Sequence, residues 1–116
     1  MIVCVVDDLI FSVKMSTAAK RLGVEMYFER SREKALATIR DKRPSLVIFD
    51  LNSTRLDPIA AVVMMKADPL LRTIRTLGYV SHVDIDTIDR ARAAGIDQVM
   101  ARSAFSDRLG EILTDA

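Results

Sequence analysis

Apolar residues in this chain gather in five short runs, separated by stretches in which they recur every three or four positions. The third run is the most informative. Leu46-Val47-Ile48-Phe49 is unbroken, includes two β-branched residues and ends on Asp50-Leu51-Asn52, with Pro44 before it and Ser53-Thr54 after it. A run of this length bounded by turn residues predicts a strand covered on both faces, as in the middle of a parallel sheet. The carboxyl end of such a strand opens onto the crevice where these sheets bind ligands, and Asp50 stands at that opening.

The other elements follow from the same pattern. Ile2–Val6 predicts a first buried strand ending at Asp7-Asp8. Phe11, Met15, Ala18 and Leu22 then recur at helical spacing until Gly23, a residue suited to the position just past a helix end. Val24–Phe28 predicts a second strand. Ser31 offers an N-cap for a helix carrying Ala35, Leu36 and Ile39 and closing on Arg40, Lys42 and Arg43. After the central strand, Asp57-Pro58 predicts a cap followed by proline at the first helical position, with Ile59, Val62, Val63 and Met65 behind it. Thr76–Val80 predicts a fourth strand ending at Ser81-His82. A helix from about Asp84 carries Ile85, Ile88 and Ala91 up to Gly95, and Ile96–Ala101 predicts a fifth strand ending at Arg102-Ser103. Phe105, Leu109 and Ile112 line a last helix. Five strands alternating with five helices through short loops predict an α/β doubly wound parallel sheet in a three-layer sandwich with right-handed crossovers.

Composition narrows the possibilities. The 116 residues fit one domain spanning 1–116, half of them hydrophobic and 28% charged, as expected of a globular fold. Seventeen basic and sixteen acidic residues leave a formal net charge of +1. No field of one sign invites nucleic acid or anionic lipid, so charge-driven function must be local. Cys4 has no internal partner and fits a buried position in the first strand, which suits a reducing cytoplasm. The apolar start is too short for a signal peptide and nothing approaches a membrane span. The six methionines read as core filler.

The shared edge of the predicted sheet would collect Asp7, Asp8, Asp50, Ser81 and Arg102. Three converging carboxylates raise one another's pKa values unless a cation lies among them. Hard oxygen ligands with room for water suit Mg2+ better than Zn2+, and His82 is the only histidine in the chain. Asp50 could then act as a nucleophile toward a phosphoryl group, with Ser81 donating to a phosphoryl oxygen and Arg102 pairing with it. Taken singly, each residue has a plainer reading: a loop cap at Asp50, a turn or helix N-terminus at Asp7-Asp8, a solvated strand end at Arg102. Their order along the strand ends is what points to chemistry.

Across essentially its whole length the chain resembles a receiver domain of bacterial two-component signalling, an identification carried by Asp7-Asp8, Asp50-Leu51-Asn52, Ser81 and Ala94-Gly95-Ile96-Asp97. The resemblance implies a flavodoxin-like sheet of order 2-1-3-4-5 and a phosphoacceptor at Asp50, served by a histidine kinase or phosphotransfer protein. It implies Mg2+ held by Asp8, Asp50 and the Asn52 backbone carbonyl, with Asp7 acting through water. A downstream effector protein or domain would read the fourth helix, fifth strand and fifth helix, where Asp84, Asp86, Arg90, Arg92, Asp97, Asp107, Arg108 and Glu111 mix both signs. Such a module is cytoplasmic, is not an enzyme beyond weak self-phosphorylation and dephosphorylation, and is a monomer or a weak homodimer through the 84–112 region. It works through a separate partner or as part of a longer chain.

Several positions depart from the family pattern. The usual lysine–proline pair is Arg102-Ser103, which replaces a compact point charge by a planar fork and removes the reason to expect a cis peptide. The loop proline is Thr54 and the loop glycine is Pro58, so the loop after Asp50 should follow a different path. The aromatic switch position is Val99, and His82 places a bulky ring where access to a phosphoryl group is controlled. A rival reading is a degenerate receiver, unphosphorylated and acting as a constitutive docking module, with Arg102 paired to Asp50. Asp50-Leu51-Asn52-Ser53-Thr54 also resembles the haloacid-dehalogenase phosphatase signature, but Asn52 cannot serve as that family's general acid. A nucleotide-binding reading lacks a Gly-rich loop after the first strand.

Overall fold

A computed structural model describes residues 1–81 and 84–116. The strands are β1 (Ile2–Val5), β2 (Met26–Glu29), β3 (Leu46–Asp50), β4 (Arg75–Val80) and β5 (Gln98–Ala101). They form one parallel sheet of order β2-β1-β3-β4-β5, as the sequence predicts. The described helices are α1 (Leu9–Leu22), α2 (Arg32–Lys42), α3 (Pro58–Ala67), α4 (Ile85–Ala94), α5 (Arg102–Asp107) and α6 (Leu109–Asp115). His82 and the access-limiting role expected of it lie outside the described residues. Among those residues, no helix is long and apolar enough to cross a membrane.

Alternation along the central strands sorts their side chains between two cores. Val3, Val5, Val47 and Phe49 pack with Ala35, Leu36, Ile39, Ala61, Val62, Met65 and Ala91 of α2, α3 and α4. Ile2, Cys4, Leu46 and Ile48 pack on the opposite face with Phe11 and Met15 of α1 and Phe105, Leu109 and Leu113 of α5 and α6. Two covered faces explain why β1 and β3 read as unbroken apolar runs. The period of two also directs Asp50 to the α1 and α5 side of the sheet, following Leu46 and Ile48.

The caps predicted at Ser31 and Asp57 form, and Asp8 and Asp84 supply two more. Asp8, Ser31, Asp57 and Asp84 accept from the amides of Phe11, Lys34, Ala60 and Thr87 at the starts of α1 to α4. Gly23 and Gly95 end α1 and α4 with φ of 70° and 105°, in the left-handed region where glycine is at ease. Asp57 also lies there, with φ of 45°, so the loop between Asp50 and Pro58 turns without the family's glycine.

Three expectations about the helices need correction. The last helix is two, broken at Arg108 (φ −102°, ψ 12°), where Ser106, Asp107 and Gly110 are all weak helix formers. The fully buried stripes run at four-residue spacing, through Ala19 in α1 and Leu113 in α6; Ala18 and Ile112 pack partly buried beside them, and Leu22 is exposed. Val63 and Ile85 are exposed. Each sits in an amphipathic pattern where neighbours one position away fill the same face, so spacing alone does not choose between them.

Candidate functional site

The site lies at the carboxyl ends of β1, β3 and β4. Parallel register sets Asp50 beside Tyr79, and the ladder continues through the Leu51 amide to the Tyr79 carbonyl at 3.0 Å. Asp50 is 7% exposed. Its Oδ1 accepts from the Asn52 backbone amide at 2.9 Å and the Asn52 side-chain amide at 3.1 Å, while Oδ2 takes no hydrogen bond from the described residues. Burial pushes the Asp50 carboxyl above its ordinary range, further helped by the charge of Asp8. The two Asn52 bonds and the Arg102 charge oppose that shift without cancelling it.

Asn52 is a bridge. Its Oδ1 accepts from both the amide and the hydroxyl of Ser81, each at 3.1 Å, while its Nδ2 holds Asp50. The backbone bond from Asn52 to Asp50 is an Asx-type turn, favoured by an aspartate leaving a strand. Two loops, after β3 and after β4, are thereby joined through one amide side chain. Nothing local in the sequence signals this side-chain role of Asn52, since the bond spans 29 residues.

The acidic pair divides. Asp8 caps α1 with Oδ1 (3.1 Å to the Phe11 amide) and takes Arg102 Nη2 on Oδ2 at 2.7 Å. The Phe11 amide and then the Arg102 guanidinium hold its carboxyl below the ordinary range. Asp7 is claimed elsewhere. Arg55 donates Nε and Nη2 to its two oxygens at 3.0 and 2.6 Å, and Arg30 lies 3.5 Å away. This lowers the Asp7 carboxyl, with the Arg55 hydrogen bond the largest cause.

Arginines thus stand among the three carboxylates, where the sequence places only Arg102. Among the described residues, no three acidic, histidine or cysteine side chains are gathered closely enough to hold a metal ion. Arginine side chains from the β2–α2 loop, the β3–α3 loop and the start of α5 enter the acidic edge. Arg30 and Arg55 were not anticipated. Their one available signal was position, since both lie in loops that must reach the same edge as Asp50. The Arg102–Asp50 pair of the docking-module reading is not formed: Arg102 pairs with Asp8 and lies 4.4 Å over the Phe11 ring. It is the first residue of α5, which turns its side chain back across α1.

Beneath the site, Tyr79 is packed between Phe11 and Phe105, at ring distances of 5.1 and 5.0 Å. Burial pushes the Tyr79 phenol upward, and its hydroxyl has no hydrogen bond among the described residues. The aromatic cluster thus lies on the α1 and α5 face, not at Val99.

On the expected partner face, several charges have structural work. Asp97 accepts from the Thr76 amide (2.8 Å) and hydroxyl (3.0 Å), Asp84 caps α4, and Arg108 pairs with Glu111 at 3.2 Å. Asp97 fastens the start of β4 to β5 and is part of the fold's own bonding.

The donors fit a divalent ion in kind. Asp50, Asp8 and the Asn52 carbonyl offer hard oxygens from adjoining strand ends, suited to Mg2+. Asp8 already shares its Oδ2 with a guanidinium, however, and Asp7 is held by two.

This architecture is that of response regulator receiver domains. The phosphorylated cyanobacterial phytochrome response regulator RcpA aligns with 98% of this chain and 88% of its own, at TM-score 0.82 and 22% identity. A response regulator from Chloroflexus aurantiacus aligns with 98% of this chain and 93% of its own, at TM-score 0.86 and 21% identity. The Mn2+-bound form of another response regulator aligns with 96% and 89%, at TM-score 0.78 and 16% identity. At these identities the likeness is one of fold. No family model matches the sequence, and no curated protein matches it.

Proposed function

We propose that the protein is a phosphoacceptor receiver domain of a two-component phosphorelay, taking a phosphoryl group from a histidine kinase or phosphotransfer protein onto Asp50. The observation that carries this reading is the state of the Asp50 carboxylate. It is nearly buried at the tip of the central strand, oriented through Oδ1 by Asn52, and takes no hydrogen bond on Oδ2 from the described residues. The Asx turn accounts for the Asn52 backbone bond, but a loop cap alone does not call for a nearly buried carboxylate held by a second bond from the Asn52 side chain.

Transfer forms a bond from Asp50 Oδ2 to phosphorus as the bond from phosphorus to the donor's imidazole nitrogen breaks, and the imidazole leaves with the electron pair. Mg2+ bound by Asp8, Asp50 and the Asn52 carbonyl would neutralise charge on the phosphoryl oxygens. That Mn2+ is held by a response regulator of this fold supports a divalent site of this kind. Asn52 fixes the attacking carboxylate, and Ser81 stands at the other end of the Asn52 bridge. Arg102 would leave Asp8 to meet the new oxygens, and its displacement would be felt by Phe11 and by α5. Output through the 84–112 region, to an effector protein, belongs to the same proposal.

The experiment is incubation of the protein with Mg2+ and a small phosphodonor or beryllofluoride, followed by intact mass and amide NMR, with Asp50→Asn as control. A mass increase or shifted spectrum in the parent, absent in the control, is expected. Absence of both responses overturns the phosphoacceptor reading and leaves a constitutive docking module.

A further inference from the structure

We infer that the side-chain amide of Asn52 is a latch that holds Ser81 back from Asp50, and so sets how readily that carboxylate accepts a phosphoryl group. The inference rests on the phosphoacceptor reading. It makes Asn52 a positioning residue that acts through Ser81.

The latch uses both polar ends of one amide. Asn52 Nδ2 donates to Asp50 Oδ1 at 3.1 Å, while Asn52 Oδ1 accepts from the Ser81 backbone amide and the Ser81 hydroxyl, each at 3.1 Å. An ionised carboxylate can only accept and a backbone amide can only donate, so the two partners fix which way the Asn52 amide points. Among the described residues, the hydrogen bonds to Asp50 come from Asn52 alone. The donors that Ser81 would offer to a phosphoryl group are thus already given to a neutral oxygen beside it.

The latch can open without disturbing the fold. Asn52 and Ser81 are both exposed, so water replaces a bond broken between them and no buried group is left unpaired. A charged phosphoryl oxygen is a stronger acceptor than an amide oxygen and wins the Ser81 hydroxyl in competition. Until it does, only the molecules whose hydroxyl has been released are ready to assist transfer. Opening also leaves Asp50 in place, because the Asn52 backbone amide still donates to its Oδ1 at 2.9 Å. Closure of one ordinary hydrogen bond corresponds to an effect of about two- to tenfold.

The test is a double-variant cycle on the full chain: the parent, Asn52→Ala, Ser81→Ala and both together, with Asp50→Asn as control. Each is incubated with acetyl phosphate and Mg2+ and the rate of mass gain is followed. Exchange of the Ser81 amide hydrogen with water is read separately by NMR, with neither metal nor phosphodonor present. The rate ratio of Asn52→Ala to its parent should be about two- to tenfold higher with Ser81 intact than in the Ser81→Ala background, where no hydroxyl is left to release. The Ser81 amide should exchange faster in Asn52→Ala than in the parent. Equal ratios in the two backgrounds, or a lower one with Ser81 intact, overturn the latch while leaving Asp50 as acceptor. An unchanged Ser81 exchange rate overturns it as well. No mass gain in the parent, or a gain that survives Asp50→Asn, overturns the phosphoacceptor reading and the latch with it.

Discussion

The guanidinium of Arg102 donates to Asp8 at 2.7 Å while lying over the ring of Phe11, and Asp50 has no ion pair among the described residues. One side chain thereby joins the end of β1, the start of α1 and the start of α5. Arg102→Ala should lower stability by about 1 kcal/mol, from the combined loss of a partly exposed pair and a cation–π contact. It should also raise the Asp50 carboxyl further and relax the depression at Asp8. Denaturant unfolding and carboxyl-carbon NMR titration check both effects. Arg102→Lys keeps the charge without the fork and should restore only part of the loss.

Asp8 and Asp50 should give stability opposite dependences on pH. Asp8 is lowered in the folded protein, so its contribution is present above its unfolded pKa of about 3.9 and disappears as pH falls through the folded value. Asp50 is raised, so the folded state binds its proton more tightly than the unfolded one. Its ionisation therefore costs stability progressively as pH climbs from about 3.9 through the folded value. Asp50→Asn should be more stable than the parent by about 1 kcal/mol at neutral pH, with the gain vanishing below pH ~3.9. Thermal melts across pH 3 to 8, roughly the range that brackets both groups, test the sign.

Asn52→Ala removes the amide that joins Asp50 to Ser81. A stability loss of about 1 kcal/mol is expected, the usual worth of a side-chain hydrogen-bond link. The Asp50 carboxyl should rise further with one opposing bond gone, and the Ser81 amide resonance should move. If Ser81 does not respond, the bridge is absent in solution.

Gly78 is the close-contact residue of β4, opposite Phe49. A Cβ there would sit 2.6 Å from Leu51 Cδ1 and 2.8 Å from Ile96 Cδ1. Gly78→Ala should destabilise by about 1–3 kcal/mol through overpacking. Because Leu51 follows Asp50, beryllofluoride binding should weaken in the same variant, a paired readout that calorimetry and NMR supply.

Much of the fold was legible in the sequence because hydrophobic periodicity is a local property. Unbroken runs at Ile2–Val5 and Leu46–Phe49 required two covered faces, and Gly23, Ser31, Asp57-Pro58 and Gly95 punctuated the helices where they end or begin. Asp50 at the tip of β3 followed from the same logic. The chain alone thus determined a doubly wound sheet and the carboxylate at its centre. Tertiary structure decided which cation meets which acid: Arg55 reaches Asp7 across 48 residues and Arg102 reaches Asp8 across 94. Such pairings depend on loop paths and on side-chain directions set by packing, and no periodicity records them. The break at Arg108 and the choice of Ala19 and Leu113 as buried residues were settled in the same way, by what the neighbouring elements left room for.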